Sequence, residues 1–269
     1  MNKKNKNKKR IVATAILATM VLGGKYLHDQ AFVGVEKRIV LTNPKVKEEI
    51  KITQISDFHS NVLSNLEEVL GKIRDFDPDL IFLTGDMIDF PTSKKIERTM
   101  YFLEKLNELG IKTYFVSGNH EEVSRDSEVF YEKIKKIGIK KLDNHGELIE
   151  IGDNRLYIYG VTYWGSNFEN YRPHDSLNLV LAHFSKNVRD KYRDDIDFVF
   201  SGHTHGGQVR APFVGALVAP GEGYFPDFDS GLYNYKDSQI YVSSGLGNTF
   251  LPLRFLDQIS YTNITIKRP

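Results

Sequence analysis

A chain of 269 residues, 41% hydrophobic and 26% charged, is long and apolar enough to bury a full core as one domain. Lysine plus arginine number 36 against 35 aspartates and glutamates, a balance that excludes a surface built to coat nucleic acid. Cysteine is absent, which excludes a disulfide framework and thiolate metal ligands and leaves the compartment open.

The charge is uneven along the chain. Six of the 36 basic residues stand within Lys3 to Arg10, so the remainder is slightly acidic. A 14-residue apolar run, Ile11 to Gly24, follows. Basic then apolar is the pattern of a signal anchor or a signal peptide. The run is short of the roughly 20 residues that span a bilayer. It reaches 17 if Lys25 snorkels and Tyr26-Leu27 sit at the interface. No clear small-x-small cleavage site follows, which favours an uncleaved anchor over secretion after cleavage, with a buried core helix as a third reading. The basic end then stays in the cytoplasm and the rest of the chain crosses. The expected organisation is a basic tail at 1–10, an anchor or signal at 11–27, a tether at 28–38 and one folded domain at 39–269.

Ile50 to Ser56 alternates as a strand does. Ser64-Asn65-Leu66-Glu67 opens a helix as a capping box with Ser64 at the cap, and Leu66, Val69, Leu70 and Ile73 share one face. Pro78 turns the chain into a strand at Leu80 to Leu83. A helix is predicted from about Ser93 to Leu109, ending at Gly110, then a strand from Lys112 to Val116. Another helix spans about Asp126 to Ile137. Glu147 to Ile151 and Arg155 to Val161 flank a hairpin turn, Gly152-Asp153-Asn154. Leu177 to Ala182 and Ile196 to Phe200 are strands with a short helix between, and Gln239 to Val242 and Ile259 to Ile266 are the last two. Strands alternating with helices, then added hairpins, predict an α/β domain of stacked sheets with helices outside.

Five polar blocks follow these apolar runs: Asp57-Phe58-His59, Gly85-Asp86-Met87-Ile88-Asp89, Gly118-Asn119-His120-Glu121, Ala182-His183 and Gly202-His203-Thr204-His205. Five of the eight histidines lie in them. Carboxylates, imidazoles and one amide are the ligand inventory of a two-metal site. Mixed nitrogen and oxygen donors suit zinc, manganese, iron or cobalt, whereas calcium takes oxygen donors. Strand alternation would place Asp57 and His59 on one side, with Phe58 turned into the core. Gly85, Gly118 and Gly202 stand where the backbone must turn tightly or approach an ion. His28, His145 and His174 have no such context and read as ordinary surface histidines. The aromatic-rich stretch from Pro212 to Tyr235 contains Phe213, Tyr224, Phe225, Phe228, Tyr233 and Tyr235. It reads either as packing or as a wall for a lipid or sugar substrate.

In order and local form these blocks resemble the calcineurin-like metallophosphoesterase family, over about residues 50–269. The resemblance implies a four-layer α/β/β/α sandwich of two mixed sheets flanked by helices. It implies one metal on Asp57, His59 and His205, a second on Asn119, His183 and His203, and Asp86 bridging both. Two divalent ions less two carboxylates and a bridging hydroxide leave one positive charge for a phosphoryl group. Hydrolysis would proceed by attack of that hydroxide on phosphorus, with His120 protonating the leaving oxygen and Asp89 orienting His120. In the family Asn-Pro commonly follows the fourth block, where this chain has Phe184-Ser185. The last block and Tyr241 to Gly247 look like the bacterial envelope-associated branch. The expected function is therefore a phosphodiesterase acting on a lipid- or envelope-linked phosphodiester outside the cytoplasm. A nucleotide or protein phosphatase, or a catalytically silent metal-containing binding module, are the alternatives.

Overall fold

The structure is a computed structural model and describes residues 3–89, 93–123, 126–164, 168–249 and 251–269. In chain order it runs α1 (Lys3–Phe32), β1 (Val35–Thr42), β2 (Ile50–Ile55), α2 (Leu66–Phe76), β3 (Leu80–Leu83), α3 (Ser93–Asn107) and β4 (Lys112–Phe115). Next come α4 (Asn119–Val123), α5 (Ser127–Lys136), β5 (Lys140–Lys141), β6 (Gly146–Ile151), β7 (Asn154–Val161), β8 (Leu177–Ala182), α6 (Ser185–Arg189) and β9 (Phe198–Ser201). A 3-10 turn at His205–Gly207 leads into the short pairs β10 (Arg210–Ala211) with β11 (Gly215–Ala216) and β12 (Val218–Ala219) with β13 (Gly223–Tyr224). β14 (Gly231–Tyr235), β15 (Ser238–Val242) and β16 (Ser260–Lys267) complete the chain.

Two mixed six-stranded sheets result, ordered β1-β16-β2-β3-β4-β5 and β14-β15-β9-β8-β7-β6. In the first, β2 to β5 are parallel and β16 runs antiparallel to β2. In the second, β15, β9, β8 and β7 are parallel and the outer β14 and β6 are antiparallel. The sheets face each other across Ile52, Phe82, Tyr114, Ile158, Leu179, Phe200 and Ile264. α2, α3 and α5 cover the other face of the first sheet through Val69, Leu70, Ile73, Leu103 and Phe130. The other face of the second sheet is covered by α6 and by loop rings, with Tyr171 buried and Phe168 and Phe228 partly so, packed with Tyr233 and Tyr235 of the edge strand β14. This is the four-layer α/β/β/α sandwich expected.

Because both faces of the sheets are covered, β2 is buried nearly throughout instead of on alternate residues. Its buried Gln54 reaches across the sandwich: Nε2 donates to Thr84 Oγ1 and to the Ser201 carbonyl of the opposite sheet, each at 2.9 Å. The start of the domain differs from the expectation. Residues 28–38 are not a tether: α1 runs on to Phe32, and β1 pairs in parallel with β16 from Val35 to Thr42. Charged Glu36, Lys37 and Arg38 sit on an edge strand, whose apolar contribution to the core comes from Ile39 and Leu41 further along. α2 also starts differently. Asn65, not Ser64, is its cap residue, and its side chain is spent on the Gly34 amide at 2.9 Å, the Gly34 carbonyl at 3.0 Å and Glu68.

Candidate metal centre

All five blocks fall just beyond the C-terminal ends of parallel strands: β2, β3, β4, β8 and β9. That edge is where open α/β sheets gather ligand groups. Asp57, His59, Asp86, His183, His203 and His205 are all buried. Their backbones do not continue the strands. Asp57, His59, Asp86, His203 and His205 have φ of 51°, 48°, 52°, 73° and 51°. Left-handed conformations cost non-glycine residues roughly 1–2 kcal/mol each. Concentrated strain of this kind marks functional sites. The expected outcome at Phe58 holds, since its ring stacks on Phe102 at 4.5 Å inside the core, but the driver is this left-handed turn and not strand alternation. A side chain on Gly202 would begin 2.2 Å from Asp57 Oδ2, and one on Gly118 2.2 Å from Asp86 Oδ1. Only glycine lets these backbones approach so closely.

The donor atoms converge in two groups linked by a third. Asp57, His59 and His205 form one and Asp86, His183 and His203 the other, while His59, Asp86 and His120 link them; in each the ligand atoms lie within 4.8 Å of one another. His59 Nε2 and His205 Nε2 face each other at 3.1 Å, and His205 Nε2 lies 3.4 Å from Asp57 Oδ1. His183 Nε2 faces His203 Nδ1 at 3.2 Å. Asp86 Oδ2 stands between the groups, 3.2 Å from His183 Nε2 and 3.6 Å from His59 Nε2. The Asn119 Oδ1 atom is buried beside them and has no hydrogen-bond partner among the described residues. Such an orphan is costly unless something binds it. Facing lone-pair donors and an orphaned amide oxygen fit divalent cations.

The electrostatics agree. Burial pushes His59 down to about 4 and His203 to about 3, and holds His205 well below its usual range, so these rings stay neutral with lone pairs free. Burial raises the Asp57 carboxyl to about 6. Burial also opposes ionisation of Asp86, but the neighbouring His183 keeps that carboxylate below its ordinary range. His183 is the counterpart: burial disfavours its charge, yet Asp86 and Asp57 raise it to about 10. A centre that holds a proton so firmly between two carboxylates favours positive charge there. His183 Nδ1 lies 2.8 Å from the Thr84 carbonyl, a contact that puts its proton on Nδ1 and turns Nε2 to the centre.

His120 lies at the rim, with Nε2 3.9 Å from Asp86 Oδ2 and Nδ1 3.5 Å from Asp89 Oδ1. Burial lowers its basicity, but Asp89 and Asp86 outweigh that and raise it. Asp89 in turn pairs with Lys95. Every site residue expected from the sequence is thus gathered at one edge. The departure after the fourth block is filled as well: Phe184 lies over His203 at 4.5 Å between ring centres.

Two supporting residues were not identified from the sequence. Glu121 is fully buried and accepts from the Asp86, Ile88 and Gly118 amides at 2.8, 3.0 and 2.8 Å, locking two ligand loops together. Burial pushes this carboxyl up to about 7, against those three amides. Its position inside the third block was the available signal. Arg254 is also fully buried and donates to the His205, Ser244, Gly247 and Asp257 carbonyls and to Asp257 Oδ2 at 2.7 Å. Nothing local marks it. The aromatic stretch divides: Phe228, Tyr233 and Tyr235 pack on the second sheet, whereas Phe213, Tyr224 and Phe225 are exposed.

A sandwich of two mixed sheets with a histidine–carboxylate centre at the strand ends defines a metallophosphoesterase. The chain belongs to the calcineurin-like phosphoesterase family, whose model matches residues 50–207. It is a metal-dependent hydrolase of phosphoric ester bonds. It is 32% identical over 228 residues to the uncharacterized metallophosphoesterase YkuE of Bacillus subtilis (strain 168), covering 81% of this chain and 79% of that one. It is 29% identical over 210 residues to the phosphodiesterase YaeI of Escherichia coli (strain K12), covering 74% and 76%. Among solved structures it matches the NAD nucleotidase NadN of Haemophilus influenzae with a TM-score of 0.50 at 16% identity, over 74% of this chain and 45% of that one. That last likeness is one of fold.

Proposed function

We propose that the chain is a membrane-anchored phosphodiesterase of the envelope-associated branch, acting on a lipid- or envelope-linked phosphodiester. The observation that carries the reading is the arrangement of Asp86 between the two donor groups, with His120 at the rim above it. Asp57, His59 and His205 would hold one divalent ion, Asn119, His183 and His203 the other, and Asp86 both. When bound, such a pair supplies positive charge for the phosphoryl oxygens and makes water acidic enough to attack near neutral pH. The chain's own work is positional. His120 presents Nε2 to the leaving oxygen and delivers a proton there, while Asp89, 3.5 Å from Nδ1, fixes the ring. Diester preference draws on the likeness to YaeI, named a phosphodiesterase. Anchoring draws on α1, in which Lys9–Phe32 is long and apolar enough to cross a membrane and is largely exposed until its end at Gln30 and Ala31.

The test supplies manganese, zinc or iron to the purified full chain in detergent and follows bis(p-nitrophenyl) phosphate and p-nitrophenyl phosphate. Faster turnover of the diester, lost with chelator and restored by metal, is expected. Faster turnover of the monoester would make the protein a phosphatase instead. Two bound metals with neither ester hydrolysed would leave a silent binding module. Asp86→Asn is expected to lose turnover and at least one metal while its circular dichroism is unchanged, since it removes the charge both groups share. Full activity with two metals in that variant would overturn the ligand assignment.

A further inference from the structure

The described surface carries an apolar strip that the phosphoesterase chemistry does not use. It begins where α1 meets the domain. The Tyr26 ring packs edge-on against Phe255 at 5.8 Å, and its hydroxyl accepts from the Leu256 amide at 3.1 Å. Phe255 bridges to Val209, exchanging backbone hydrogen bonds with Gln208 and Arg210. The Val209 carbonyl accepts from the Leu217 amide, and the Leu217 carbonyl from the Phe225 amide. Val218 pairs with Tyr224 in the next rung. The chain thus lies rung beside rung from the end of α1 to the β12–β13 turn. That turn closes on the metal centre: a Cβ on Gly221 would lie 3.2 Å from His203 Nε2.

The large apolar side chains along this path are exposed, with Ala216, Ala219 and Arg254 turned inward. Phe213, at the tip between β10 and β11, is fully exposed, and Tyr224 is 84% exposed. Val214, Val218, Phe225, Leu251, Phe255 and Leu256 are also exposed. Between Arg210 and Asp227 the sequence holds one charged residue, Glu222, and it is paired with Arg189. A contiguous apolar surface of this kind on a soluble domain marks something that covers it. What covers it follows from α1. The helix end is held firmly to the domain: Gln30 Oε1 accepts the Asp257 amide, its carbonyl accepts the Ile259 amide, and the Ala31 carbonyl accepts from Asn248 Nδ2. The strip therefore begins at the boundary of the apolar segment, and aromatic residues with an apolar body and a polar tip suit that depth.

We propose that the strip Phe213–Phe225 with Leu251–Leu256 is a bilayer-contact surface, continuous with the α1 anchor, which seats the rim of the metal centre on the lipid headgroups. The inference rests on the anchoring reading of α1 and deepens the proposed function. A site whose rim shares a turn with the seated strip takes its substrate from the membrane surface, as the phosphoester headgroup of an amphiphile.

The chain has no cysteine, so single reporters are simple to place. Phe213→Cys and Tyr224→Cys are labelled with an environment-sensitive fluorophore in the full chain. Lys135→Cys on α5 is the control, because α5 packs against β5 at the sheet edge opposite β1. The proteins are reconstituted into phosphatidylethanolamine–phosphatidylglycerol vesicles containing lipids spin-labelled just below the headgroup. At least twofold stronger quenching at 213 and 224 than at 135 is expected. Equal quenching at all three positions would overturn the proposal. So would blue-shifted emission at 213 and 224 that lipid spin labels leave unquenched, since a second copy would then cover the strip. Hydrolysis of bis(p-nitrophenyl) phosphate by the same samples reports the metal site separately, so loss of the phosphoesterase reading and loss of the bilayer contact give different results.

Discussion

At the scale of single residues, His120 is the most informative side chain to change. Its Nδ1 faces Asp89 and its Nε2 faces the centre, and under the proposed function it delivers a proton to the leaving oxygen. His120→Ala is expected to keep its metals and lose roughly 10²-fold or more in kcat, the usual scale of general-acid catalysis. The loss should shrink for p-nitrophenyl esters, whose leaving group needs no proton, and stay large for alkyl esters. Equal losses for both would assign His120 to something other than protonation. The polar blocks gathered at this edge were legible in the sequence because each follows an apolar strand directly, so strand and block announce one another. Glu121 and Arg254 were not, because their role is to accept from or donate to backbone groups that only the fold brings together: Glu121 meets the Asp86 amide from 35 positions away, and Arg254 the His205 carbonyl from 49. The left-handed backbone of the ligand residues was equally hidden, since propensity predicts the opposite for histidine and aspartate in such numbers.

At the scale of elements, the segments that close over the centre depend on Arg254. One side chain joins the loop after β15, the 3-10 turn after β9 and the segment leading to β16. Breaking a buried ion pair by removing one partner costs about 3–5 kcal/mol, and each kcal/mol shifts the melting temperature of a domain this size by roughly 2–4 °C. Arg254→Ala is therefore expected to melt on the order of 10 °C lower and to lose metal from the group containing His205. Arg254→Lys should recover only part, because an ammonium lacks the planar fork that reaches several carbonyls at once. Thermal melts with metal analysis check this, and an unchanged melt in the alanine variant would contradict it. The long strands and helices were readable from their periodicity, and their observed ends fall close to the predicted ones. The elements that escaped are those with too few residues to show a period, β10 to β13 among them, and β1, whose charged edge positions imitate a linker. The capping box at Ser64 failed for a tertiary reason, since Asn65 is recruited to hold Gly34.

At the scale of the whole molecule, the proposed anchor bears on the side of the membrane on which the domain would work. Six basic residues precede the apolar run, and lysine and arginine beside a span resist translocation. The structure lengthens the candidate span. Lys9–Phe32 is one 24-residue helical segment, about 36 Å at 1.5 Å per residue, where the sequence offered a 14-residue run. A helix of that length accommodates a bilayer with room for Lys25 to reach the interface. Its end is bonded to the domain through Gln30 and Ala31, so a cleaved leader would have to be cut before that junction or forfeit the contacts. An anchor with its basic end inside places residues 33–269 outside, where envelope lipids and wall polymers are within reach and cytosolic nucleotides are not. Protease added to intact spheroplasts is then expected to digest a C-terminal tag. The mature protein is expected in the membrane fraction at the full 30.8 kDa. A tag protected until the membrane is lysed would put the domain inside and reverse the substrate class with it. A digested tag on a shorter protein recovered from the medium would keep the domain outside but replace the anchor with a cleaved signal.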